Sequence, residues 1–184
     1  MKRLTLRAVL LPVLLPVLLG AGCGGRASEP LVLYDFEKEA DQDRVVWKCH
    51  ALFDLSGEWA ASGGRSLRCD LMDEQYPGVS FREFERDWSP YRALSFHVRH
   101  TGADTLNLVV RVDDPRSGYA FENRYNGHFR VPPGEHRIEI LLEEVEAGPK
   151  ARRLDLSRID AFRIFLRNWN QAPTIWLDRI ALEP

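Results

Sequence analysis

The sequence has no excess of basic residues. Its 184 residues include 25 Lys and Arg against 27 Asp and Glu, which gives a formal net charge of −2. A protein that binds nucleic acid usually carries a basic balance that neutralises phosphates. The composition therefore excludes nucleic acid as the expected partner.

The common catalytic motifs are also missing. The chain has no G-x-S-x-G, no H-E-x-x-H, no phosphate-binding loop and no G-x-G-x-x-G. The acid pairs Asp113-Asp114 and Glu143-Glu144 fall where solvated charge is the ordinary explanation. We predict a protein without catalytic activity. A glycan-active enzyme stays open as an alternative, because a sequence does not give the separation of two carboxylates.

Long helical periodicity is scarce. Short apolar runs are instead interrupted by 13 Gly and 11 Pro, and 45% of the residues are hydrophobic. This pattern is typical of one globular all-β domain. We predict an antiparallel β-sandwich with one or two short helical turns over residues 31–184.

The N-terminus has the pattern of a secretory signal peptide. Lys2, Arg3 and Arg7 precede an apolar run of 12 residues, 8–19. A bilayer-spanning helix needs roughly 20 apolar residues. The run therefore predicts a signal peptide over residues 1–22 and an exported protein, and not a transmembrane helix.

The end of this segment, Leu19-Gly20-Ala21-Gly22-Cys23, resembles the lipobox of bacterial lipoproteins. The resemblance implies that Cys23 is acylated, which would give the protein a membrane partner, with residues 23–30 as the tether. Gly24 implies the outer membrane more than the inner one in a Gram-negative host. Secretion without a lipid is the alternative.

Few cysteines remain after Cys23. Cys49 and Cys69 lie on neighbouring apolar runs, and an even pair in an oxidising compartment is a candidate disulfide. Two buried free thiols are the alternative. Their separation in space is not given by the sequence.

Two runs of alternating polarity stand at the centre of the chain. The first spans Leu94 to Val98 and the second Leu106 to Val112, with a turn-rich segment between them. Period-two alternation indicates half-buried strands, and we predict that the two form an antiparallel hairpin. The outer face of the second strand would then carry Arg111 and Asp113.

The last run changes parity. Ile175 and Leu177 share one face of a strand, whereas Ile180 and Leu182 have the opposite parity. If all four are buried, a bulge near Asp178 must take up one residue. A carboxylate at a bulge is well placed to bind a cation.

Several short motifs resemble, in their order, the galactose-binding-like jelly rolls. The nearest likeness is to the group that joins family 11 carbohydrate-binding modules with the complex I intermediate-associated protein 30 domain, over about 31–182. The motifs are Asp35-Phe36-Glu37, Gly64-Arg65-Ser66-Leu67, residues 88–99, residues 154–159 and Trp176-Leu177-Asp178-Arg179-Ile180.

This resemblance implies a ligand cleft on one sheet. Aromatic rings would stack on sugar rings, and charged planar groups would bond adjacent hydroxyls. The positions that match by strand order are Arg111, Asp113, Tyr119, Tyr125, Arg167 and Trp169.

The resemblance also implies a structural Ca²⁺ between the first and last strands. The matching positions are Glu37 and Asp178, with backbone carbonyls near Ser62. Carboxylate and carbonyl oxygens are the ligands that Ca²⁺ prefers. No cofactor is otherwise required. The alternative is that Asp178 caps a turn and Glu37 is exposed.

The resemblance is compatible with two functions of different classes. The first is a binding module for a polysaccharide or oligosaccharide. The second is an interaction or assembly domain that holds another protein of the cell envelope, because the same group of folds includes assembly factors.

Overall fold

A computed structural model of the chain describes residues 26–118, 120–167 and 172–184, except the side chains of residues 47–49. The predicted signal peptide, the lipidation site Cys23, Tyr119, Trp169 and the side chain of Cys49 therefore lie outside the described residues.

The described residues form eleven strands, β1 to β11, and two short α-helices, α1 and α2. The first part of the chain contains β1 Leu31–Tyr34, α1 Glu39–Asp43, β2 Val45–Cys49, β3 Ala51–Ser56, β4 Ser66–Leu71 and β5 Gly78–Phe81. The second part contains β6 Ala93–His100, β7 Leu106–Asp113, β8 Tyr125–Val131, β9 Gly134–Leu141, α2 Leu142–Glu146, β10 Ala161–Leu166 and β11 Thr174–Glu183.

The strands form two antiparallel sheets, as the sequence predicted. The six-stranded sheet has the order β3-β4-β11-β6-β9, and β1 also pairs with β11. The five-stranded sheet has the order β2-β5-β10-β7-β8. Every register is antiparallel.

The core lies between the two sheets. Period-two alternation directs the inner side chains of both sheets into one cluster, in which Phe96 of β6 and Phe162 of β10 are fully buried. Phe81 and Phe162 stack with ring centroids 4.4 Å apart. Stacked sheets with interleaved inner faces are the expected solution for strands that have one apolar face.

The predicted central hairpin is wrong. β6 pairs with β9 and β11, whereas β7 pairs with β8 and β10 in the other sheet. The segment 101–105 therefore crosses between the layers. β6 and β7 each have one apolar face, and the two apolar faces contact the same core from opposite sides. Alternation alone therefore does not distinguish two strands that pair in one sheet from two strands that stack in different sheets.

An Asn-Gly pair is typical of a turn, but Asn126 and Gly127 both lie within β8. A Cβ atom on Gly127 would stand 2.3 Å from the Tyr125 hydroxyl oxygen and 2.9 Å from Phe129. The glycine is needed here for the close approach of two aromatic rings and not for a turn.

The predicted bulge in the last strand is confirmed. The register between β11 and β6 shifts between Asp178 and Ala181, and Arg179 has a φ of 43°. All four apolar residues of the strand, Ile175, Leu177, Ile180 and Leu182, are buried.

Cys69 is a free thiol buried in the core, and burial raises its pKa. The disulfide predicted with Cys49 therefore has no support. The strands that carry the two residues, β2 and β4, belong to different sheets.

Neither α-helix of the described residues is long and apolar enough to cross a membrane.

Candidate functional site

The outer face of the five-stranded sheet contains an open groove of about 430 Å³. Its floor is formed by β7, β8 and β10, and its walls come from the segments before β5 and β8. The lining residues are Tyr76, Val109, Arg111, Phe121, Arg124, Asn126, His128, Arg163, Phe165 and Arg167.

The antiparallel register sets the floor residues in rows across the strands. Arg163 of β10 lies opposite Arg111 of β7, which in turn lies opposite Asn126 of β8. The next row on the same face places Phe165, Val109 and His128 side by side. Successive outward side chains on one face of a strand are two residues apart. A row of charged and polar side chains is therefore followed by a row that is mainly apolar or aromatic.

A carboxylate fixes the first arginine. Arg111 Nε donates to Asp113 Oδ2 at 2.6 Å and its Nη2 donates to Asp113 Oδ1 at 2.7 Å. This is the two-pronged geometry that makes Arg–carboxylate pairs strong and directional. Both side chains are largely buried. Arg111 is therefore held in position before any ligand arrives.

The wall next to β8 is a short 3₁₀ turn, Phe121–Asn123. The Arg124 guanidinium lies 5.7 Å from the centroid of the exposed Phe121 ring, and its Nε donates to Asn126 Oδ1 at 3.4 Å. Burial and the nearby charge of Arg111 lower the pKa of Arg124. The groove is therefore an environment that disfavours further positive charge.

A buried ion pair anchors this wall. Arg152 donates to both oxygens of Asp114, at 2.6 and 2.7 Å, and also to the Asn123 side chain at 2.6 Å. Burial by itself would raise the pKa of Asp114, but bonds from Arg152, the Asp155 amide and Ser117 outweigh it and lower that pKa to about 2. The turn that carries Phe121 is thus tied to the end of β7.

The opposite wall is aromatic. Tyr76 meets Phe165 edge to face, with ring centroids 6.0 Å apart and an interplanar angle of 89°. Phe165 packs against Gly78, where a Cβ atom would stand only 2.4 Å from the Phe165 Cα. The missing side chain at Gly78 therefore allows β5 and β10 to lie close together beside Phe165.

A second cavity of about 240 Å³ continues the first along the strands. The two share His128 and Arg167, and the second adds Asn107 and Arg130. The Arg167 amide donates to the Asn107 carbonyl at 3.1 Å, which extends the β10–β7 pairing beyond the end of β10. The combined shape is elongated.

Only some of the ligand residues predicted from the sequence lie at the groove. Arg111 and Arg167 both line the groove, and Asp113 supports it through Arg111. Tyr125 does not: it faces the core and is 8% exposed, and burial raises its pKa to about 12. Tyr119 and Trp169 lie outside the described residues.

Sequence reasoning missed the wall residues and the floor residues of two strands, β8 and β10. Arg163 and Phe165 have the parity opposite to the buried Phe162, Ile164 and Leu166, and this alternation was visible in the sequence. Tyr76 and Phe121 come from connecting segments, where no periodicity indicates the direction of a side chain.

The two carboxylates predicted to bind Ca²⁺ accept hydrogen bonds from backbone amides. Asp178 Oδ2 accepts from the amides of Ala61 and Ser62 at 2.7 and 2.9 Å. Glu37 Oε1 accepts from the amides of Gly64 and Arg65, both at 2.9 Å. The loop thus presents N–H groups to both carboxylates.

In the part of the chain that is described, no group of three or more His, Cys, Asp or Glu could hold a metal ion. Glu37 and Asp178 hold the β3–β4 loop directly, and calcium binding at this position stays a prediction.

No family model matches the sequence, and no curated protein sequence matches it. Solved structures do. The family 11 carbohydrate-binding module of Clostridium thermocellum, in complex with a β-1,3-1,4-mixed-linked tetrasaccharide, has a TM-score of 0.62 at 16% identity over 85% of this chain and 96% of that one.

Two further structures extend the comparison. The CBM22-1 xylan-binding domain of Paenibacillus barcinonensis Xyn10C has a TM-score of 0.57 at 14% identity, over 86% of this chain and 96% of that domain. An exo-β-agarase has a TM-score of 0.62 at 17% identity, over 83% of this chain and 24% of the agarase chain. The chain therefore has the galactose-binding-like jelly-roll fold of carbohydrate-binding modules.

Proposed function

We propose that the chain is a non-catalytic carbohydrate-binding domain whose ligand lies in the groove of the five-stranded sheet. The observation that carries this proposal is the groove itself, an elongated depression in which aromatic rings alternate with planar, hydrogen-bonding side chains. Its volume of about 430 Å³ is within the usual range for ligand sites, roughly 300–1,000 Å³.

The chemistry of the lining supports a sugar. The exposed rings of Tyr76 and Phe121 offer apolar faces for C–H groups, and Asn126 and the arginines offer donors for hydroxyls. The rigid floor of three paired strands holds these groups without a conformational change. Preformed sites lose less entropy on binding.

Three observations favour binding over catalysis. None of the described residues that line either cavity is Asp or Glu, whereas a glycosidase generally uses a pair of carboxylates. Asp113, the acid beside the groove, is bound at both oxygens by Arg111. Structures of similar fold include a module solved with a tetrasaccharide and a xylan-binding domain.

The rival proposal, an envelope domain that holds a protein partner, would be favoured by a broad apolar patch. The exposed large hydrophobic side chains in the described part of the chain are Val32, Leu52, Tyr76 and Phe121. Two of these line the sugar groove, and the other two belong to β1 and β3 of the other sheet. The sugar proposal therefore explains more of the surface.

We place the protein in the bacterial envelope, where acylation of Cys23 would hold it to the membrane. This part of the proposal rests on the N-terminal sequence. Labelling the growing host with radioactive palmitate tests it. We expect label in the native protein and none in Cys23→Ser, and an unlabelled native protein would contradict the lipid anchor.

The binding proposal is tested by native affinity electrophoresis of the purified full-length chain in a neutral detergent. Gels would contain mixed-linked β-glucan, xylan, agarose or an acidic polysaccharide. We expect retardation on at least one gel relative to a gel without polymer. Unchanged mobility on every polymer would overturn the carbohydrate proposal.

A further inference from the structure

The groove concentrates positive charge on a chain that is negative as a whole. Four of its ten lining residues are arginines, and none of these ten is an acid. The formal charge of the whole sequence is −2. Arg130 adds a further positive charge in the second cavity.

Most of this charge is not neutralised by the protein. Arg111 forms an ion pair with Asp113, but the described residues provide no ion pair for Arg124, Arg163 or Arg167. The parts of the chain that the structure does not describe contain no Asp or Glu. The nearby carboxylates of Asp113 and Glu122 act on Arg124 without pairing with it.

The arrangement has an electrostatic cost in the free protein. Arg163 and Arg111 are directly opposite each other on adjacent strands. Like charges in that position are unfavourable, and Asp113 offsets only the charge of Arg111. A neutral ligand would leave this repulsion in place. An anion between the strands would remove it.

The charges are spaced along the groove. Arg163 and Arg167 share one face and are four residues apart, about 13 Å at roughly 3.3 Å per residue. Aromatic rings lie between and beside them, with Phe165 in the middle. A polysaccharide that carries both sugar rings and repeated negative groups fits this alternation better than a polyanion without rings.

We propose that the groove binds an acidic glycan, whose sugar rings stack on Phe121, Phe165 and Tyr76 while its negative groups pair with Arg124, Arg163 and Arg167. This inference rests on the proposed carbohydrate-binding function and names its ligand class. Carboxylates of uronic acids and sulfate esters share the required chemistry, because both accept paired hydrogen bonds from a guanidinium.

The test is isothermal titration of the full-length chain in neutral detergent with oligosaccharides of equal length. One arm uses oligogalacturonate and oligoalginate, a second uses sulfated carrageenan oligosaccharides, and a third uses neutral mixed-linked glucan and xylan oligomers. Two polyanions that are not glycans serve as controls. Inorganic polyphosphate carries negative charge without rings, and single-stranded DNA carries negative charge together with rings.

We expect at least tenfold tighter binding of one acidic class than of either neutral glycan, and weaker binding as salt screens the ion pairs. The preferred acidic arm identifies the negative group. Binding of neutral glycans alone would overturn the acidic inference and leave the proposed function standing. Binding of no glycan would overturn both.

Equal affinity for polyphosphate would show a surface for anions in general, and tighter binding of DNA would show a nucleic-acid site; each result overturns the glycan inference.

Variants locate the site. Arg163→Gln with Arg167→Gln should weaken acidic-glycan binding about 100-fold, at about tenfold for each lost charged contact, or about 1.4 kcal/mol each. The matched control is Arg82→Gln with Arg158→Gln, which removes two exposed arginines outside both cavities. An equal loss of affinity in the two double variants would contradict the assignment to the groove.

Discussion

Arg163 of β10 lies directly opposite Arg111 of β7, and only Arg111 has an ion-pair partner among the described residues. The sheet thus holds two like charges side by side at the centre of its outer face. Such a pair contributes nothing to folding, since like charges opposite each other are unfavourable. A binding site is the setting in which proteins retain features of this kind.

The first prediction concerns stability. Arg163→Gln should leave the free energy of unfolding unchanged or raise it by up to about 0.5 kcal/mol, because the repulsion with Arg111 is removed. Urea denaturation followed by tryptophan fluorescence measures this. Arg158→Gln, an exposed arginine of a 3₁₀ turn, serves as the control and should show no change. A loss of more than about 1 kcal/mol in Arg163→Gln would mean that the arginine has a structural role instead.

The second prediction concerns stacking. Phe121 is 55% exposed, so Phe121→Ala should cost little stability but should weaken glycan binding about tenfold through the lost ring face. Titration of both proteins with the same oligosaccharide measures it.

Leu52→Ala is a matched control for Phe121→Ala, because Leu52 is 61% exposed on β3 of the other sheet. Its affinity for the glycan should equal that of the native protein. An equal loss in both variants would show that exposed apolar area in general, and not the groove wall, drives binding.

The third prediction concerns Asp114, which is 2% exposed. Asp114→Asn leaves the buried Arg152 without its charge partner and should destabilise the protein by about 3–5 kcal/mol. Asp160→Asn removes a solvent-exposed pair with Arg86 at 3.5 Å and should cost less than about 1 kcal/mol. Thermal unfolding at neutral pH compares the two. Equal costs would show that the wall does not depend on this ion pair.

Asp114 also sets a pH dependence. Its pKa falls from 3.8 to about 2 on folding. The ionised form is therefore favoured by folding, and its stabilisation is complete above pH 4 and is lost as the pH falls through about 2. We expect a decline of about 2 kcal/mol over this window in the native protein that is missing in Asp114→Asn. Parallel pH profiles would contradict this origin.

The fourth prediction concerns calcium. Glu37 and Asp178 accept hydrogen bonds from loop amides. The unfolding temperature in about 1 mM calcium should therefore equal that in EDTA. This calcium concentration is roughly a thousandfold above the Kd of a tight site, so bound calcium would raise the unfolding temperature measurably. A clear rise with calcium would show that the loop rearranges to offer carbonyl oxygens. Asp178→Asn should lower the unfolding temperature in both buffers, since the amide nitrogen cannot accept a hydrogen bond.

The fold was largely predictable from period-two alternation. The antiparallel β-sandwich, the bulge at Asp178 and the presence of only short helical segments all follow from local pattern. Pairing does not, because β6 and β7 have equally apolar inner faces and the connection between them can form a hairpin or cross between layers. The energetic difference lies in long-range contacts with β9, β10 and β11.

The site was predictable only in part. Arg111 and Arg167 belong to outward faces that alternation identifies. Tyr125 has the opposite parity and is buried beside Gly127. The Asn126-Gly127 pair, which is typical of a turn, conceals that parity in the sequence. Tyr76 and Phe121 depend on loop conformation, for which the sequence offers no period.

The most direct test of the groove is an NMR titration of the uniformly ¹⁵N-labelled protein with the tightest-binding oligosaccharide. Amides of Val109, Arg111, Asn126, His128 and Phe165 should shift with one common saturation curve, whereas those of β3, β4 and β9 in the other sheet should stay in place. Shifts confined to the six-stranded sheet, or spread evenly over both sheets, would contradict the proposed site.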